Sequence, residues 1–119
     1  MGKKVMIVDD QLGIQLLLEE IVKSTGHQAI IAGNGKEALD MIEKEFPDLL
    51  IVDYKLPIID GFRLISQLEE TGIFIPTILM SGLADEIAEK AEKMQSVQYI
   101  FAKPFDIDVA RTQINRLLG

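Results

Sequence analysis

Five polar side chains carry most of the chemistry this sequence offers: Asp9, Asp10, Asp53, Ser81 and Lys103. Each follows directly on a short apolar run. Val5–Val8 precedes Asp9 and Asp10, Leu49–Val52 precedes Asp53, Pro76–Met80 precedes Ser81, and Tyr99–Ala102 precedes Lys103. Three carboxylates brought together repel one another, and a divalent cation relieves that repulsion. Carboxylate oxygens suit a hard ion such as Mg²⁺, for which Mn²⁺ can stand in. An aspartate in such a setting can attack phosphorus and carry a phosphoryl group as an acyl phosphate. Charge on the transferring oxygens would meet the cation on one side and the Lys103 ammonium on the other. Ser81 adds a hydroxyl donor, and Gly82 lets the backbone come close. The expected acceptor is Asp53.

Singly, these residues say little. An aspartate after a strand is often a helix cap, a lone lysine is usually a solvated surface charge, and Ser-Gly is common in loops. A second acid beside the first exceeds what a cap needs, which favours metal binding by the Asp9–Asp10 pair. Only their joint placement gives these residues a shared chemistry, and that placement is the work of the surrounding elements.

Leu49–Val52 has four apolar residues with no polar alternation, the pattern of a strand covered on both faces. Strands are expected over Val5–Val8, Gln28–Ala32, Leu49–Val52, Pro76–Met80 and Tyr99–Ala102. Helices are expected over 12–24, from the Asn34-Gly35 turn to about 45, and over 61–70, 85–94 and 106–118. Gly26, Pro47 and Thr71-Gly72 act as stops, Asp106 as a cap, and Asp60-Gly61 as a turn pair. Strict β-α alternation implies right-handed crossovers and a doubly wound five-stranded parallel sheet of order 2-1-3-4-5. Parallel strands put their carboxyl ends on one edge. The five polar residues therefore converge, and the acids flank the switch point between strands one and three.

The bulk numbers narrow the function. The chain has 119 residues, 48% hydrophobic and 26% charged, which fits one globular domain with no output domain attached. A net charge of −7 argues against a nucleic-acid footprint. The absence of cysteine excludes disulfides and thiolate chemistry and fits a reducing cytoplasm. No apolar run reaches the roughly 20 residues that span a bilayer. The methionines are expected as core filler, and His27 is given no role. The charged residues from Glu86 to Lys93 are expected as a solvated helix face with i,i+4 pairs. On the first helix, Ile14, Leu17, Leu18, Ile21 and Val22 form one apolar stripe, with Leu12 and Leu16 off it.

Val8-Asp9-Asp10, Val52-Asp53 with Pro57 and Asp60-Gly61, Met80-Ser81-Gly82, and Lys103-Pro104-Phe105 together resemble the receiver domain of bacterial response regulators. The likeness covers essentially the whole chain. It implies a flavodoxin-like fold in which a histidine-kinase phosphohistidine donates to Asp53. It further implies Mg²⁺ on Asp9, Asp10 and Asp53, with Asp10 the more direct ligand of the two N-terminal acids. The backbone carbonyl of Lys55 would complete that set, Ser81 and Lys103 would attend the phosphoryl group, and the Lys103-Pro104 bond would be cis. Ile7-Val-Asp-Asp-Gln11 and Phe101-Ala-Lys-Pro-Phe-Asp-Ile-Asp108 bring it nearest to stand-alone phosphorelay receivers that act in sporulation.

For such a receiver the implied partners are a sensor histidine kinase, a histidine phosphotransferase and an aspartyl-phosphate phosphatase. They would meet a monomer at Gln11, Gly13, Ile14 and Leu17 with Pro104 and Phe105. The alternative inside the family is a chemotaxis-type regulator that binds a motor protein. Two features depart from the pattern. Ile100 stands where an aromatic is usual, three residues before the lysine and next to Tyr99. Lys55 stands two residues after the acceptor, where it would crowd an attacking water and slow self-dephosphorylation. Two other classes fit less well. A Mg²⁺ phosphohydrolase commonly has an acid at the Lys55 position, and the acidic pocket would repel a flavin phosphate.

Overall fold

The computed structural model describes residues 2–119. Five strands and five helices alternate: β1 (Lys4–Val8), α1 (Leu12–Ser24), β2 (Gln28–Ala32), α2 (Gly35–Lys44), β3 (Leu49–Asp53), α3 (Gly61–Glu70), β4 (Thr77–Ser81), α4 (Ala84–Glu92), β5 (Val97–Ala102) and α5 (Ile107–Leu118). The strands form one parallel sheet in the order β2-β1-β3-β4-β5.

The unbroken apolar runs are explained by a sheet packed on both sides. Val5, Ile7, Leu49, Ile51, Ile78, Met80 and Phe101 face α1 and α5, where they meet Leu18, Ile21, Val22, Ala110 and Ile114. Met6, Val8, Leu50, Val52 and Leu79 face the other way, against Ala38 and Ile42 of α2, Ile65 and Leu68 of α3, and Ile87 and Ala91 of α4. Successive strand residues point to opposite faces, so each strand feeds two cores at once. At the rear of the sheet, Asp48 accepts from the Lys4 N–H at 2.8 Å and so ties the entry of β3 to β1.

Side-chain caps start three of the helices. Asn34 accepts from Glu37 N–H, Asp60 from Arg63 N–H, and Asp106 from the N–H groups of Asp108 and Val109. Gln11, at the start of α1, makes no such bond. The Lys103-Pro104 bond is cis, in agreement with the family likeness.

Several expectations need correcting. Leu17 is not part of the inward stripe of α1: it is 36% exposed, whereas Leu18, Ile21 and Val22 are buried. On α4, Lys90 forms no ion pair among the described residues; its ammonium lies 4.6 Å from the centre of the Phe62 ring on α3. The Phe62 ring in turn meets Tyr54 edge-on at 5.1 Å.

β5 begins at Val97, two residues before the apolar run suggested, because an irregularity opposite Thr77 and Ile78 lets pairing continue past the polar Gln98. Met6 and Met80 are fully buried, and Met41 and Met94 pack against the same core as α2–α4; Met1 lies outside the described residues. His27 does have a local role, since its Nδ1 accepts from the Lys3 N–H at 3.0 Å.

Candidate functional site

The carboxyl ends of β1, β3, β4 and β5 open onto a cavity of about 450 Å³. Asp10, Asp53, Ser81 and Lys103 line it, together with Gln11, Lys55, Gly82 and Leu83. Carboxylate oxygens of Asp9, Asp10 and Asp53 lie within 4.8 Å of one another. Asp9 and Asp53 are buried, and Asp10 is exposed. The sheet brings these acids together because β1 and β3 are neighbours in register, Val8 beside Val52.

Lys103 spans the two buried acids. Its Nζ is 3.3 Å from Asp9 Oδ2 and 3.2 Å from Asp53 Oδ2. The reach follows from the β4–β5 pairing and from the Lys103 N–H donating to the Ser81 carbonyl at 2.9 Å. Ser81 is buried, and its Oγ accepts from the Leu83 N–H at 2.9 Å, which leaves its O–H for another acceptor. The Asp9 carboxylate is engaged at both oxygens, since Oδ1 also accepts from the Gln11 N–H at 2.8 Å.

Burial pushes the Asp53 carboxyl above its ordinary value of 3.8. The Lys103 ammonium pulls it back down, Asp9 pushes it up again, and hydrogen bonds from Lys103 and the Lys55 backbone favour the ionised form. Three carboxylates thus face one ammonium in a partly closed space. An all-oxygen donor set with surplus negative charge fits a hard divalent cation such as Mg²⁺. Asp10 suits first contact with such an ion, because its exposed carboxylate is not tied up as that of Asp9 is.

The loop after β3 holds two features that sequence reading did not find. Gly61 is not a left-handed turn residue. A Cβ there would lie 2.8 Å from the Asp53 carbonyl oxygen and 3.0 Å from Tyr54 Cα, so a glycine lets α3 press against the end of β3. The left-handed residue is Ile58, at φ 72° and 78% exposed. No alternation or motif marks a β-branched residue for that conformation.

Of the surface residues expected from the family likeness, Gln11, Gly13, Leu17 and Pro104 are exposed, and Ile14 and Phe105 are half-buried. Leu12 and Leu16, off the apolar stripe of α1, are 68% and 53% exposed. Tyr99, Phe101 and Phe105 form a run of rings at 5.4 and 5.5 Å on the α1–α5 side of the sheet. Ile100 packs on the opposite side, so Tyr99 does not take the place of an aromatic at that position.

The profile of the response regulator receiver domain matches residues 5–115. The chain belongs to the receiver domain family. It is similar to sporulation initiation phosphotransferase F of Bacillus subtilis, with 36% identity over 99% of this chain and 95% of that protein. It is also similar to the B. subtilis alkaline phosphatase synthesis regulator PhoP, with 29% identity over 99% of this chain but only 49% of that protein. Among solved structures, the receiver domain of Francisella response regulator 1452 superposes with a TM-score of 0.90 at 30% identity, covering 98% of this chain and 97% of that one. This receiver therefore has the fold that its sequence implied, and its polar strand ends meet at one edge, where Lys103 bridges Asp9 and Asp53.

Proposed function

We propose that this receiver takes a phosphoryl group from the phosphohistidine of a sensor kinase onto Asp53 and passes it to the histidine of a phosphotransferase. The observation that carries this reading is the bridge of Lys103 to Asp53 and Asp9 inside a three-carboxylate cluster. A carboxylate oxygen of Asp53 attacks phosphorus, the phosphorus–nitrogen bond to the donor imidazole breaks, and a mixed anhydride forms on Asp53. The Lys103 ammonium is within reach of the Asp53 carboxylate and is placed to balance charge on the arriving oxygens. The Ser81 hydroxyl, at the end of the neighbouring strand, offers a further donor.

Asp9, Asp10 and Asp53, with the Lys55 backbone carbonyl, are the residues that would hold Mg²⁺. When bound, that ion supplies positive charge to the phosphoryl oxygens. Transfer onward reverses the first step: an acceptor imidazole attacks phosphorus and Asp53 leaves as a carboxylate. Lys55, exposed beside the cavity, restricts approach of water to the anhydride and lengthens its life.

The setting we infer is a cytoplasmic phosphorelay acting in sporulation, supported by the 36% identity to a sporulation phosphotransferase over nearly the full length of both chains. No helix of the described residues is long and apolar enough to cross a membrane. A monomer would meet kinase, phosphotransferase and aspartyl-phosphate phosphatase at the edge formed by α1 and the loop after β5. Leu12, Leu16 and Leu17 offer exposed apolar area on α1, and Ile14 and Phe105, which pack on one core, join α1 to that loop.

The test is intact-mass measurement after treatment with acetyl phosphate and Mg²⁺. The parent is expected to gain one phosphoryl mass, which the Asp53→Asn variant does not gain. A parent that stays unmodified, or a variant modified to the same extent, overturns the assignment.

A further inference from the structure

Asp9 is held at every polar atom it has. Its N–H donates to the Ala32 carbonyl at 3.1 Å and anchors the residue to β2. Its Oδ1 accepts from the Gln11 N–H, and its Oδ2 faces Lys103. The fourth contact comes from α1: the Gln15 side-chain Nε2 donates to the Asp9 backbone carbonyl at 2.6 Å. This bond reaches back six residues, and Gln15 is half-buried. The Gln15 N–H in turn donates to the Gln11 carbonyl, which fixes the first turn of the helix.

The carbonyl that Gln15 grips belongs to the peptide joining Asp9 to Asp10. A peptide unit is planar, so fixing its oxygen fixes its N–H, which is that of Asp10. It also places the Asp10 Cα. Because the next N–H, that of Gln11, is held by Asp9 Oδ1, the peptides on both sides of Asp10 are pinned, and with them the direction in which its side chain leaves the backbone. That matters because Asp9 is locked on all sides, whereas Asp10 is exposed and its carboxylate has no comparable clamp. The α1 cap residue Gln11 makes no side-chain cap bond that would do the same work.

We propose that Gln15 is a positioning residue for the cation site: its amide clamps the Asp9–Asp10 peptide and thereby aims the Asp10 carboxylate. The inference rests on the cation site of the proposed function and deepens it. A neutral amide suits the position, since it donates to the carbonyl without adding a fourth negative charge or a second ammonium to compete with the ion. Partners that orient ligands without touching a metal commonly change its affinity by about tenfold or more when removed.

The test compares the parent with Gln15→Met, which keeps the length of the side chain and its helix preference but donates no hydrogen bond. Mn²⁺ affinity is measured by electron paramagnetic resonance, without phosphodonor. The Asp10 amide cross-peak is recorded in the metal-free protein. Thr71→Val, which removes a hydroxyl bond to the Leu68 carbonyl at the far end of α3, serves as a control for general loosening.

We expect Gln15→Met to raise the Mn²⁺ dissociation constant by about tenfold, to shift the Asp10 amide, and to leave the Thr71→Val control at the parent affinity. If Gln15→Met lowers the urea midpoint while its Mn²⁺ affinity stays that of the parent, the residue is structural only and the positioning role is overturned. A parent that itself binds no Mn²⁺ overturns the cation site as well.

Discussion

Ile58 holds a conformation that its side chain resists. Its φ of 72° is a left-handed angle at which a branched Cβ crowds the backbone, and at 78% exposure little burial offsets the strain. Ile58→Gly is expected to raise stability by about 1 kcal/mol, after allowing for the greater chain entropy of glycine. Urea unfolding at unchanged m-value is the measurement; a lower midpoint would show that the isoleucine side chain is stabilising where it stands.

Asp53 gives a second prediction at this scale. Burial, assisted by Asp9, holds its carboxyl above the unfolded value in spite of Lys103. The folded protein therefore binds that proton more tightly than the unfolded chain does. The resulting stability is fully present below the unfolded value and is lost as pH rises through the folded one. In metal-free buffer, the parent should lose stability relative to Asp53→Asn as pH rises above the ordinary carboxyl value of 3.8. Parallel pH profiles of unfolding free energy would count against the burial argument.

Between elements, the tightest junction at the site is that of α3 with β3. The Gly61 N–H donates to the Tyr54 carbonyl at 2.9 Å, and an added Cβ would stand 2.8 Å from the Asp53 carbonyl oxygen and 3.1 Å from Leu79 Cδ1. Backbone cannot yield there as a flexible side chain would. Gly61→Ala is expected to destabilise by about 2 kcal/mol and to slow phosphorylation by acetyl phosphate by moving the strand end that carries Asp53. An unperturbed melting curve would refute the close-approach account.

The elements were largely legible in advance, because period and punctuation are local properties. Leu49–Val52 has the continuous apolar pattern of a doubly covered strand, and Asn34, Asp60 and Asp106 are cap residues by type. What escaped the sequence depends on contacts distant along the chain. Leu17 satisfies the helical stripe yet stays 36% exposed, whereas Leu18, Ile21 and Val22 on the same helix are buried. Lys90 has one acidic neighbour at helical spacing, Glu86, but the Phe62 ring of another helix attracts it instead. Gln15 is an ordinary helix residue until the chain folds back to place the Asp9 carbonyl beside it.

For the molecule as a whole, the acids that form the site are a standing cost. A net charge of −7 opposes compaction, and two of the three clustered carboxylates are buried with a single lysine between them. A cation that binds only the folded state returns that stability by mass action. Mg²⁺ at about a hundredfold excess over its dissociation constant should add about 2.7 kcal/mol. Asp10→Asn should abolish most of the gain while leaving the metal-free protein folded. Thermal or urea melts with Mg²⁺ and with a chelator read this directly; equal gains in parent and variant would remove Asp10 from the ligand set. The strand order was deducible for a related reason. Right-handed crossovers restrict the arrangements open to five alternating units, and the shared edge of polar strand ends follows from parallel pairing alone.

Tyr54, edge-on to Phe62, is covalently next to Asp53. The chain has two tyrosines and no tryptophan, so near-ultraviolet emission arises from Tyr54 and Tyr99 without a stronger indole signal over it. One of the molecule's two fluorophores is thus the immediate neighbour of the reacting carboxylate. Its quantum yield gives this protein an optical gauge of that position, readable in real time and with no dye attached.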